Sequence, residues 1–321
     1  MQSTPLQTSS IVSAPQARKT VFPGAGFVDA FSAKAAAQKF KVYSGIDTNR
    51  STPCHRSVLA QLQQAIPRNE MFLAFQPKIE LKSGRCIGAE TLLRWTNATL
   101  GDVSPSSFIA IAENSGLIGF IGDWTLCKAV STLKQNQGMA LTGRLAINVS
   151  AHQLANPRFV EHVITALSTS GVDGSAIEIE VTESALLADT RMAAEQLNQL
   201  RERGITIALD DFGTGYATLA LLKQLPIDVL KIPPEFVSDI ATNESSARLV
   251  EAVINMAHLL GLRVVAEGIE SESQACQLID YGCDFGQGYL FSKALTKNDF
   301  IRWVKSQEEA MRALDRARSV Q

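Results

Sequence analysis

The apolar positions change rhythm at Ser57. Before it, residues 1–56 are rich in Ser, Thr, Gln, Ala and Pro and show no sustained period, and "STPLQTSSIVSAPQARKT" reads as disordered chain. "DAFSAKAAAQKF" (29–40) is compatible with a short helix, although a flexible tail is the simpler expectation. From Ser57 onward, "SVLAQLQQAI" spaces its apolar residues as an amphipathic helix does, and "MFLAFQPKIEL" (71–81) reads as a strand. Short apolar runs then alternate with helical stretches. Further strands are predicted at 88–93, 144–149, 176–181, 205–210, 228–232, 262–267 and 283–290, and helices at 119–136, 190–203, 245–260 and 271–280. About eight strands in about 245 residues, most followed by a helix, suit an α/β fold of the (β/α)₈ TIM type over 57–321, preceded by a flexible or regulatory tail over 1–56. An open doubly wound sheet is the alternative. It usually carries a Gly-rich phosphate loop after its first strand, and "FQPKIELKSG" is no such loop.

In a barrel of this kind, polar residues at the C-terminal ends of the strands face the active-site mouth. Those ends offer Gln76 from "FLAFQP", Glu90 from "GAETLLRW" and Asn148 from "RLAINVS". "AIEIEVTES" offers Glu180 and Glu183, "ITIALDDFGTGYATL" ends on Asp210–Asp211, and "DVLKI" offers Lys231. "LRVVAEGIES" brings Glu267 and Glu270, and "GCDFGQGYLF" brings Gln287. Any one of these is ordinary alone, since a glutamate at a strand end is most often a solvated loop residue or a helix cap. Glu178 alternates with Glu180 and either enters the site or pairs with a buried base.

Taken together, the acids demand compensation. Glu90, Glu180, Asp210, Asp211 and Glu267 would repel one another at one mouth, and bound divalent cations are the natural remedy. None of the four histidines (His55, His152, His162, His258) and no cysteine falls in the set. All-oxygen ligation points to Mg²⁺ or Mn²⁺ rather than Zn²⁺. The adjacent aspartates suit two ions about 3.5–4 Å apart, the clamp that activates a water and stabilises a leaving oxygen in phosphate-ester chemistry. Lys231 would orient that water or offset phosphoryl charge. "DFGTGY" supplies two glycines for a tight or mobile loop. The residues therefore point to a metal-dependent enzyme, a phosphohydrolase first. Sugar and enolate enzymes use the same fold and oxygen-bound Mg²⁺, so the substrate stays open.

Composition narrows the setting. The chain has 321 residues, 45% of them apolar, and a net charge of −2, which argues against general nucleic-acid binding. Residues 1–50 sum to +4, so a basic tail precedes an acidic remainder, a weak signal for binding a partner, DNA or an acidic lipid surface. Five cysteines (Cys54, Cys86, Cys127, Cys276, Cys283) without metal-site spacing read as free thiols in a reducing compartment. No run has the length of a membrane span and no secretory leader is visible, so a soluble, cytoplasmic protein is expected.

From about Ser57 to Lys305 the runs "FQP", "LLRW", "FIAIAENSGLI", "INVSAHQL", "EVTES", "DDFGTGYATL", "LKI", "AEGIES" and "GCDFGQGYLFSK" resemble the EAL family of bacterial cyclic di-GMP phosphodiesterases. The family's Glu-Ala-Leu run reads Glu90-Thr91-Leu92 here. The resemblance implies a barrel whose first strand runs antiparallel to the rest. It implies hydrolysis of cyclic di-GMP to linear pGpG with two Mg²⁺ or Mn²⁺ ions, inhibition by Ca²⁺, and a homodimer formed through the barrel. By position, Glu90, Asn148, Glu180 and Asp210 match ligands of one ion, and Asp210, Asp211 and Glu267 match the set around the second ion and the attacking water. Lys231 matches the lysine on that water, and Glu183 the glutamate that holds the DDFGTGY loop. Gln287 matches a glutamine near the metals and Glu270 an acid behind the ligands. Gln76, Leu92 and Arg94 match substrate contacts, with the arginine on a phosphate.

The chain departs from the family at a few points. Thr91 replaces the usual Ala, on the face opposite Glu90. "RWTNATLG" lacks the common His-Pro, and Ala294 stands in "SKA". Pro233–Pro234 in "LKIPPEFV" occupies the place of an Asp that the family links to dimer contacts and loop positioning, and two backbone donors are lost with it. The alternative expectation is therefore a catalytically weak cyclic di-GMP receptor that signals through partner contacts. A protein-binding scaffold indifferent to nucleotide is the third.

Overall fold

The computed structural model describes residues 55–136, 143–214 and 219–318. Apart from His55 and Arg56, the tail and its possible helix lie outside these described residues. The chain opens with α1 (His55–Ala65), followed by β1 (Met71–Glu80), β2 (Cys86–Asn97), β3 (Gly101–Val103), α2 (Pro105–Asn114) and α3 (Ile118–Gln135). Strands and helices then alternate: β4 (Arg144–Val149), α4 (Ala151–Leu154), α5 (Phe159–Ser170), β5 (Ile177–Thr182), α6 (Glu183–Ala188), α7 (Thr190–Arg201) and β6 (Thr206–Asp210). The last part holds α8 (Leu219–Gln224), β7 (Val229–Ile232), α9 (Pro234–Val237), α10 (Glu244–Leu259), β8 (Arg263–Ala266), α11 (Glu272–Asp280), β9 (Phe285–Gly286), β10 (Leu295–Thr296) and α12 (Lys297–Arg318).

Eight strands close a ring in the order β1–β2–β4–β5–β6–β7–β8–β9, with β9 returning to β1. From β2 round to β9 each ring pair is parallel, whereas β1 is antiparallel to both of its neighbours. β3 and β10 extend β2 and β1 outside the ring. This is the expected barrel with a reversed first strand.

Most predicted strands appear within a residue or two. The second runs on to Asn97 because β1 gives it a long antiparallel partner, from Ile79↔Cys86 to Met71↔Trp95. The strand expected over 283–290 is a correction, since only Phe285–Gly286 is strand. Beyond it the backbone folds against the loop after β8: Ile269 N–H donates to Gln287 O and Leu290 N–H to Ile269 O. Gly288 makes this approach possible, because a Cβ there would lie 2.1 Å from Ile269 O.

The helices bury apolar faces on the outside of the ring, in one continuous core that includes Leu145, Ile147, Ile179, Leu197, Leu209 and Ile254. A second cluster under α1–α3 contains Trp95 edge-on to Phe108, ring centroids 5.7 Å apart. Inside the ring, Ala208, Val229, Val265 and Phe285 form a small apolar group. The other interior positions are unusual: Lys78, Glu178, Glu180 and Lys231 are all buried there. No helix among the described residues is long and apolar enough to cross a membrane.

Candidate active site

Four carboxylates converge on one ammonium. The Nζ of Lys231, on β7, lies 2.8 Å from Glu267 Oε1, 3.0 Å from Asp210 Oδ1, 3.1 Å from Glu180 Oε2 and 3.9 Å from Glu90 Oε2. Strand register explains the meeting. Asn148 is paired with Glu180, and Thr182 with Asp210, so β4, β5 and β6 deliver their acids and amide near one level. β7 and β8 end side by side at Ile232↔Ala266, which leaves Glu267 just past the ladder.

Glu90 is held by amides. Asn148 Nδ2 donates to its Oε1 at 2.8 Å and Gln287 Nε2 to its Oε2 at 2.7 Å. Gln287 also donates to Gln76 Oε1 at 3.2 Å, and Gln76 Nε2 to Ser292 O at 3.3 Å. Glu90, Leu92 and Arg94 share one face of β2 by alternation, which puts Arg94 along the strand from Glu90 toward the mouth. Arg94 is half-buried; burial pulls its pKa down while Glu90 acts to raise it.

The loop after β6 is tied from two sides. Gly213 N–H donates to Glu183 Oε1 at 2.7 Å, and Phe212 N–H to Lys231 O at 3.3 Å. Glu183 is buried at the start of α6, where Thr182 caps the helix by accepting from Ala185 N–H. Asp211 adopts a left-handed backbone, φ 55°, which an aspartate tolerates better than most residues. Its side chain is exposed, outside the four acids on Lys231. Glu270 is exposed too and is not brought into the group; its backbone N–H donates to Gln274 Oε1.

Pro233 and Pro234 cost the sheet nothing. The β7–β8 ladder has already ended at Ile232, whose carbonyl accepts from Glu267 N–H at 3.0 Å. Pro233 (φ −70°) stands at the N-cap position of α9, without a side-chain cap, and Pro234 opens the helix, a position where the missing N–H has no helical partner anyway.

One pair was missed in the sequence. Lys78 Nζ donates to Glu178 Oε1 at 2.5 Å and to Glu180 Oε1 at 2.6 Å, with all three side chains buried. Glu178 therefore pairs with a buried base. Lys78 was legible, since it is two residues after Gln76 on the same strand and must share its face.

Charge decides what else the site accepts. Burial acts to raise Glu180, but Lys231 and Lys78 outweigh it and hold the carboxyl at about 2. Burial raises Glu90 and Asp210 despite Lys231, and lifts Glu267 to about 7. Lys231 is held well above its ordinary value: burial opposes its charge, and the surrounding acids prevail. Part of the compensation expected from metal ions is thus supplied by two lysines. An ammonium has three N–H bonds, fewer than the four carboxylates around Lys231. Glu180 Oε2 and Glu267 Oε1 are buried with no donor in hydrogen-bond geometry, although Lys231 Nζ is near both. Glu90, Glu178, Glu180, Asp210 and Glu267 set five acids against the two buried lysines, Lys78 and Lys231. The oxygen donors fit hard cations. Among the described residues, no three of the His, Cys, Asp and Glu side chains are already spaced around an ion, because the acids close on Lys231 instead.

Comparison with known proteins agrees with this picture. The EAL domain family matches residues 59–294. The chain is 41% identical over 250 residues to the cyclic di-GMP phosphodiesterase PA2567 of Pseudomonas aeruginosa, covering 78% of this chain and 43% of that protein. It is 38% identical over 239 residues to the cyclic di-GMP phosphodiesterase NbdA of the same organism, covering 73% and 30%. The chain thus spans less than half the length of these curated relatives. Among solved structures it is similar to the PaMucR phosphodiesterase in complex with c-di-GMP, with TM-score 0.73 and 36% identity, covering 76% of this chain and 99% of that one. It is also similar to the EAL enzyme Bd1971 in its cAMP-bound form, with TM-score 0.74 and 35% identity, covering 78% and 70%.

Proposed function

Because this chain belongs to the EAL domain family, we propose that it hydrolyses cyclic di-GMP to linear pGpG with two Mg²⁺ or Mn²⁺ ions, and that Ca²⁺ inhibits it. The observation that carries the reading is the convergence of Glu90, Glu180, Asp210 and Glu267 on Lys231 at the strand ends. Support comes from relatives whose names state this activity. Glu90, Asn148, Glu180 and Asp210 would hold one ion, and Asp210, Asp211 and Glu267 the other. When bound, the ions lower the pKa of the attacking water and stabilise the leaving oxygen.

The chain's own residues do the rest. Lys231, released from some of its acids, hydrogen-bonds the water and keeps its lone pair toward phosphorus. Arg94 pairs its planar guanidinium with a phosphate, and Gln76 and Leu92 contact the substrate beside it. Gln287 and Asn148 keep Glu90 oriented. Glu183 fixes the loop that carries Asp211, so that positioning is supplied before substrate arrives.

Product analysis tests the proposal. Purified protein is incubated with cyclic di-GMP and Mg²⁺ or Mn²⁺, with a Ca²⁺ control, and the nucleotides are separated by chromatography. Linear pGpG formed with Mg²⁺ or Mn²⁺ and suppressed by Ca²⁺ is the expected result. Intact substrate with saturable binding would make the protein a cyclic di-GMP receptor. No saturable binding at all would remove both nucleotide readings.

A further inference from the structure

Beneath the acids that meet Lys231, the barrel interior holds a second cation. Lys78 descends from the mouth on the reversed strand β1, opposite Gly88 and below the Gln76↔Glu90 pair. It is 3% exposed and reaches no residue assigned above to substrate. Its two acceptors are Glu178 Oε1 and Glu180 Oε1. Glu180 is 1% exposed, and its two oxygens face different cations: Oε1 is bound from below by Lys78 and Oε2 lies 3.1 Å from Lys231 above.

We infer that Lys78 is a positioning residue for the proposed reaction: its bond to Glu180 Oε1 fixes that carboxylate so that Oε2 is presented to the mouth. The inference rests on the functional reading above. A buried ion pair is a poor device for stability alone, because apolar residues of similar volume often serve as well or better. The same barrel interior has an apolar group in Ala208, Val229, Val265 and Phe285. An apolar side chain at position 78 would fill the space but leave Glu180 Oε1 without a donor. Glu178 completes the arrangement. It neutralises Lys78, so that Glu180 is oriented by the ammonium while the triad as a whole keeps one negative charge to offer upward. Lys78 and Glu178 also line a cavity of about 280 Å³ at the barrel floor, with Thr206, Arg144 and Arg263. The support therefore lies between the site and the floor, out of the path of substrate.

Ligating groups in metal sites are commonly held by such outer partners, and removing one typically costs about 10–100-fold in metal affinity or activity. The test compares wild-type protein with Lys78→Met, Lys78→Arg and Glu178→Gln. Mn²⁺ binding to substrate-free protein is followed by the electron paramagnetic resonance of free Mn²⁺, and hydrolysis is measured across Mn²⁺ concentrations. Lys78→Met should weaken Mn²⁺ binding about 10–100-fold and lower kcat, with KM for cyclic di-GMP at saturating Mn²⁺ held within about twofold. Lys78→Arg should recover part of the affinity, and Glu178→Gln, which leaves Lys78 on Glu180, should lose less than Lys78→Met. A folded Lys78→Met protein whose Mn²⁺ titration superimposes on wild type would overturn the inference. If Lys78→Met does not fold, the double variant Lys78→Gln/Glu178→Gln replaces it with the same two outcomes. A wild-type protein that neither binds Mn²⁺ nor turns over cyclic di-GMP would overturn the functional reading and this inference with it. A wild type that does both, beside an unchanged variant, overturns this inference alone.

Discussion

Replacing Lys231 by Met is the sharpest probe of the electrostatics. The change keeps an unbranched side chain, one atom shorter, and deletes the charge at the centre of four acids, at 2.8, 3.0, 3.1 and 3.9 Å. A single contact at 4 Å is worth about 4 kcal/mol at an effective dielectric of about 20. Those attractions do not add, because the acids repel one another and the ammonium was desolvated to reach them. The applicable scale is the loss on removing one partner of a buried pair, about 3–5 kcal/mol. Lys231 is 1% exposed, so solvent screening does not reduce it. In a domain of this size about 1 kcal/mol moves Tm by about 2–4 °C, which predicts a fall of ~6–20 °C for the variant in EDTA. Differential scanning calorimetry with EDTA and then with Mn²⁺ reads it out. Mn²⁺ should raise the variant's Tm more than the wild type's, since the ion brings positive charge to acids that have lost theirs. A metal-free variant that melts within about 2 °C of wild type would refute the picture of a lysine holding repelling carboxylates together.

Three further outcomes follow from the same geometry. Glu90→Gln should keep the fold, since the new amide oxygen still accepts from one of Asn148 and Gln287 while the other can turn its own carbonyl to the new N–H, but should cut kcat at least about a hundredfold in the chromatographic assay; near-normal turnover would mean the metal set is wrong. Glu183→Ala removes the acceptor of Gly213 N–H, a charged hydrogen bond worth about 1.5–3 kcal/mol, and should lower kcat about tenfold to a hundredfold; an unchanged kcat would show that the loop is held otherwise. Gly268→Ala forces a side chain at φ +69° with its Cβ 2.6 Å from Pro234 Cβ. It should cost about 1–3 kcal/mol, seen as a lower Tm, and should reduce turnover because Glu267 is the preceding residue.

Much of the site was written in alternation. Residues two apart on a strand share a face, so Glu178 and Glu180 point the same way, as do Gln76 and Lys78 and the set Glu90, Leu92 and Arg94. The period of two placed the acids inside the barrel and would have placed Lys78 there as well. What it could not give is which oxygen meets which nitrogen, because that depends on register between strands far apart in sequence. Lys78 and Glu180 are 102 residues apart. Asp211 shows the limit in another way: it follows the last residue of β6 with a left-handed backbone, beyond the reach of strand alternation, and it is exposed rather than among the acids on Lys231. The last strand is shorter than its pattern suggests: "FGQGYLF" is apolar enough for a longer one, and only the close approach of Gly288 to Ile269 decides against it. The prolines after "LKI" looked disruptive in the sequence and prove to be a helix start, since the ladder ends one residue earlier.

The shortest strand of the ring also bears on how the barrel is completed. β9 joins the ring to β1 through only two residue pairs, Ile79↔Gly286 and Glu80↔Phe285, whose partners are more than two hundred residues apart in the chain. Long loops of this kind close late in folding. Gln287, the residue after that seam, reaches Glu90 across 197 residues. A growing chain that has made every element up to α11 therefore still holds Glu90 without this donor, and the site is finished only when the C-terminal part arrives. The same seam is where the folded barrel should breathe first: amides of the β1–β9 junction should exchange with deuterium before those of β4 and β5, and each such opening would briefly loosen Glu90.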